Sequence, residues 1–77
     1  MKVVFADEKD GVEMARLEED TLVVNRAHPA HRRASETGDL DYHVALCLAW
    51  VLAGYLPPEK PARQFIARFL ARWGDER

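Results

Sequence analysis

Ten consecutive residues, Val44 to Ala53, carry no polar side chain: Val, Ala, Leu, Cys, Leu, Ala, Trp, Val, Leu, Ala. A helix that is apolar on every face must be covered on every face. The chain has 77 residues with which to do this. Domains near that length bury only about 60% of their unfolded surface. Each apolar side chain left in water forgoes roughly 1.5–3 kcal/mol. The run is therefore the central element of one small domain spanning residues 1–77, as a helix from about Tyr42 to Ala53. Asp39 or Asp41 is placed to cap its start and Gly54 to stop it. Ten residues fall well short of the roughly 18 that suggest a membrane span, so no membrane partner is expected.

The cover must come from either side. Ala62, Phe65, Ile66, Phe69, Leu70 and Trp73 recur at helical spacing, which predicts an amphipathic helix over Pro61–Trp73 ended by Gly74. Arg63, Arg68 and Arg72 lie off that stripe. Upstream, Lys2–Ala6 reads as a strand, Asp7–Gly11 as a turn, Val12–Leu17 as either a strand or two helical turns, with strand preferred because Glu18-Glu19-Asp20 breaks it, and Thr21–Val24 as a strand ended by Asn25. These give an N-terminal β-hairpin, or a three-stranded meander if Lys2–Ala6 joins. His28-Pro29 turns the chain into a short helix over Pro29–Ala34, because proline suits a first helical position. Ser35–Gly38 is expected to be a loop. The fold class is α+β, with two to three helices and the central one buried.

Hydrophobic residues make up 48% and charged residues 31%, an ordinary globular balance. The net charge of −2 argues against a nucleic-acid partner, whose footprint is a positive excess. Residues 1–20 hold seven acids against three bases, while residues 21–40 and 41–77 are each +1. That asymmetry allows a dipolar surface to pair with another protein or with itself. One cysteine cannot form an intrachain disulfide, and the N-terminal apolar run is too short for a signal peptide. Both point to the cytoplasm.

The densest polar cluster is Asn25, His28, His31, Arg32 and Arg33 at the passage from strand to helix. One reading makes it a binding site, with first-turn N–H groups and an arginine aimed at a phosphate or carboxylate. The other makes it structural: Asn25 closes an Asx-turn and His28 stands at the helix N-cap. In that case Asn25→Ala costs about 0.5–2 kcal/mol. His28, His31, His43 and Cys47 also form a set of nitrogen and sulfur donors suited to zinc, although a cysteine inside an apolar helix commonly acts as a small hydrophobe. No metal or other cofactor is assigned on this pattern. A Cys47–His43 nucleophilic pair lacks an orienting third group and an oxyanion donor. The glycines at 11, 38, 54 and 74 are isolated, so there is no phosphate loop.

The stretch Leu22 to Ala34, followed by Tyr42–Leu46 and Phe65–Gly74, resembles the C-terminal region of some bacterial ATP-binding proteins of the gyrase, heat-shock chaperone, histidine-kinase and MutL type. There, too, a strand ending in Asn runs into a His-Pro turn and then an apolar helix. The likeness covers roughly residues 20–74, and its sharpest part is Asn25-x-x-His28-Pro29. The nucleotide-holding part has no counterpart here: there is neither an Asn-bearing helix box nor an Asp-x-Gly-x-Gly segment. The resemblance implies a detached accessory or assembly module and carries over no catalytic residue. The expected function is a non-enzymatic interaction or accessory module that self-associates, as a homodimer, or binds a parent or partner protein. The alternative is a small zinc-binding domain built on the His/His/His/Cys cluster.

Overall fold

The computed structural model describes residues 1–76. Three strands come first, β1 (Lys2–Ala6), β2 (Ala15–Glu18) and β3 (Thr21–Asn25). Three helices follow, α1 (Pro29–Thr37), α2 (Leu40–Ala53) and α3 (Ala62–Asp75). The α+β order is as expected, and β2 and β3 form the hairpin, with Ala15 opposite Val24 and Glu18 opposite Thr21. Its two-residue turn sets Glu19 at φ 56°, the positive φ that tight hairpins ask of a central residue. β1 does not extend the hairpin into a meander. It runs parallel to β3, Lys2 opposite Thr21 and Ala6 opposite Asn25, so the sheet order is β1-β3-β2. Residues 7–14 carry the chain from the end of β1 to the far edge. β3 thereby becomes the middle strand and is buried from Leu22 to Asn25.

One face of the sheet meets α2. Ala15, Leu22 and Val24 pack with Cys47 and Val51, and Met14, Leu17, Val44 and Leu48 close around them. α2 also packs against α1 and α3, which makes it the hub. The residues it buries, apart from His43 and Val51, are small: Ala45, Cys47 and Ala49. Small side chains let neighbours approach closely, and the price is that the larger Leu46, Leu48 and Leu52 remain half-buried and Trp50 is exposed. α3 lies along α2 yet buries no residue completely.

Helix ends depart from expectation where the sequence carried two signals at once. α1 continues through Ser35–Thr37 and stops at Gly38, whose φ of 79° is the left-handed cap conformation glycine adopts freely. Its N–H and that of Asp39 both reach the Ala34 carbonyl, so the next helix begins almost at once, at Leu40. Asp39 holds the N-cap position of α2, but its carboxylate bonds the Thr37 hydroxyl at 2.7 Å instead of a backbone N–H. Gly54 ends α2 in right-handed geometry. Gly74 sits inside α3, which runs on to Asp75. β2 is shorter than predicted: Val12–Met14 are irregular and Glu18 belongs to the strand.

Candidate functional site

The strand-to-helix passage holds two buried polar groups of different character. The first is Asn25, 1% exposed at the end of β3. Its Oδ1 accepts from Ala27 N–H at 3.0 Å, the anticipated Asx-turn, and from Glu8 N–H at 3.0 Å. Its Nδ2 donates to the carbonyls of Glu8 at 3.1 Å and Glu13 at 3.2 Å. One amide thus ties the 7–14 segment at two points to the turn after β3. The local bond was legible from the sequence; the bonds to Glu8 and Glu13, 17 and 12 residues away, were not. The helix start follows directly. His28 is the N-cap of α1, and its Nδ1 accepts from Ala30 N–H at 3.0 Å.

That capping consumes the donors an anion would need. Pro29 has no N–H, Ala30 N–H is held by the His28 ring, and the N–H groups of His31 and Arg32 reach the His28 carbonyl at 3.0 and 3.3 Å. Arg32 and Arg33 are exposed. Of the five expected binding residues, Asn25 and His28 are therefore bonded into the turn, His31 is buried beneath it, and the arginines face solvent.

The second polar group is a ring cluster beneath α1. His31 stacks edge-on between Phe5, at 5.7 Å, and His43, at 5.4 Å between ring centroids. His31 is 8% exposed, and its Nε2 has no hydrogen-bond partner among the described residues. One helical turn on from His43, the Cys47 Sγ lies 3.6 Å from the His43 Nε2. Burial pushes the Cys47 thiol up to about 11. Burial, reinforced by positive charge on His31 and His28, holds the His43 imidazole below its usual value. Near neutrality the pair is a neutral thiol beside a neutral imidazole, and the imidazole tautomer decides which of them donates. A thiol held neutral is a weak nucleophile and a weak metal ligand.

The structure brings His31, His43 and Cys47 near one another but not onto one point. His28 turns its Nδ1 to the helix cap, and among the described residues no three His, Cys, Asp or Glu side chains are placed to hold a metal ion. His28, His31, His43 and Cys47, the set of the zinc alternative, are not gathered into one such group among the described residues.

A feature the sequence reading passed over lies at β1. Val3, Val4 and Phe5 are 43%, 41% and 44% exposed. The signal was present in Lys2–Ala6, where apolar residues fall on both strand faces. No helix among the described residues is long and apolar enough to cross a membrane. No family model, no curated protein and no solved structure matches this chain.

Proposed function

We propose that this domain is a non-enzymatic protein-interaction or accessory module that associates with a second copy of itself. The observation that carries this reading is uncovered apolar surface. β1 presents three consecutive apolar side chains, each more than 40% exposed, and α3 presents Phe65, Ile66, Phe69, Leu70 and Trp73 without burying any of them completely. Proteins that act alone rarely leave large contiguous apolar patches open, and two-fold pairing is the commonest way to close one. The polar groups support the same reading, since buried Asn25 and half-buried His28 are bonded into the turn and Cys47 is held as a neutral thiol. The resemblance of residues 20–74 to the C-terminal region of the gyrase-type ATP-binding proteins fits an assembly role.

Sedimentation equilibrium at micromolar concentration tests the proposal. The expected mass is twice the 8.8 kDa of the chain. A single 8.8 kDa species across the concentration range would overturn it.

A further inference from the structure

We infer that the seam between the two copies is the open edge of β1, paired antiparallel with the same strand of the second copy. This rests on the self-association proposed above and adds where and in what register it occurs. The sheet has two edges, and they are built differently. β2 is four residues long and bears Arg16, which is bonded to Glu8 at 2.9 Å and also to Glu18. A short, charged, ion-paired strand is a common guard against edge-to-edge pairing. β1 has no such guard: its three central residues are Val3, Val4 and Phe5.

The backbone fixes which residues offer bonds. Lys2 N–H donates to the Asp20 carbonyl at 3.0 Å, and the Ala6 carbonyl accepts from Arg26 N–H at 2.8 Å. Even-numbered residues of β1 therefore turn their backbone groups toward β3. Alternation leaves the N–H and C=O of Val3 and Phe5 on the open edge. Pairing two β1 strands about Val4 sets Val3 of each copy opposite Phe5 of the other and uses all of these groups. Val4 then meets Val4 as the close, non-hydrogen-bonded pair.

Side chains and charges agree with that register. Val3 and Phe5 stand opposite Leu22 and Val24, hence on the face covered by the helices. There they border a largely apolar groove with Val44, Leu48, Phe69 and Trp73, which Asp41 and Glu76 also line. The two-fold would merge both grooves into one layer. Antiparallel pairing also sets Lys2 of each copy opposite Ala6 of the other, one residue from Asp7. A parallel pairing would set Lys2 against Lys2.

Val4 points away from the helices and lies beside Val23 of β3, outside the cluster that Leu22 and Val24 form with α2. Val4→Lys and Val4→Glu each place like charges face to face at the close pair. Each variant is expected to sediment at 8.8 kDa where the wild type is dimeric, and an equimolar mixture is expected to regain the double mass. Val4→Cys, a small substitution, is expected to give a disulfide-linked dimer on mild oxidation, since close antiparallel pairs bring Cβ atoms about 4.5–5.5 Å apart. If the charged variants stay dimeric, or their mixture stays monomeric, or Val4→Cys fails to cross-link while the wild type is dimeric, the seam lies elsewhere and the self-association reading stands. A monomeric wild type removes both, and pairing of β1 only with a strand of some other protein counts as that outcome.

Discussion

Asn25 and His31 are six residues apart, both polar, both less than a tenth exposed, and they have opposite standing in the molecule. Every polar atom of the Asn25 amide is used: two N–H groups come in and two carbonyls are met. The His31 ring is held by two aromatic edges and leaves its Nε2 unanswered. A hydrogen bond adds only about 1 kcal/mol net, whereas a buried group stripped of its partner costs about 1–3 kcal/mol. The two side chains therefore differ less in what they touch than in what their removal would leave behind. Taking away Asn25 orphans four backbone groups; taking away the His31 imidazole removes an orphan.

The largest effect should follow from Asn25→Ala. Because the bonds to Glu8 and Glu13 accompany the local turn, the expected loss is about 3 kcal/mol or more, above the range the turn alone implies. Urea unfolding measures it, and a loss under about 1 kcal/mol would erase the contrast. Asn25→Asp sharpens the test. It keeps both accepting roles but turns a carboxylate toward the carbonyls of Glu8 and Glu13, so it should be at least as damaging as Ala.

A smaller effect is expected from acid. The His43 native value lies below its ordinary 6.5, so the unfolded chain binds the proton more readily. Stability from this group is complete above about 6.5, begins to fall as pH drops through that value, and levels off once pH is below the lowered native value. His43→Leu should flatten the melting temperature over that window, and a slope unchanged by the substitution would assign the dependence to other groups.

The smallest change should come from His31→Phe. A phenyl ring keeps the edge contacts to Phe5 and His43 and buries no unanswered nitrogen, so stability should move by less than about 0.5 kcal/mol or rise slightly. A loss beyond about 2 kcal/mol would show that the imidazole has a partner after all.

The same contrast explains what could be read from the amino acids. The Asn25 bond to Ala27 and the His28 bond to Ala30 each close within two residues, and Pro29 suits a first helical position, so the turn, the cap and the start of α1 were legible. The i, i+4 approach of His43 and Cys47 was legible for the same reason. The pairing of β1 with β3 was not, because it depends on the 7–14 segment being pinned by Asn25 from a distance. Nor was the convergence of His31 on His43, which depends on how α1 crosses α2. Two helix ends were misplaced at glycines: α1 runs on to Thr37, where Gly38 takes the left-handed cap, and α3 runs through Gly74 to Asp75, whereas Gly54 ends α2 after Ala53 as expected.

The crossed order of the sheet also sets a sequence of events in time. Glu18 and Thr21 meet across three residues, but Lys2 and Thr21 must meet across nineteen, and closing the longer loop costs more entropy before any contact repays it. The hairpin is thus expected to form early, and β1, though it precedes the hairpin in the chain, to dock last, waiting until both β3 and the Asn25 anchor exist. Until then its Val-Val-Phe edge stays open to any other strand, so the interval before β1 docks is when a crowded population of these chains is most exposed to mispairing.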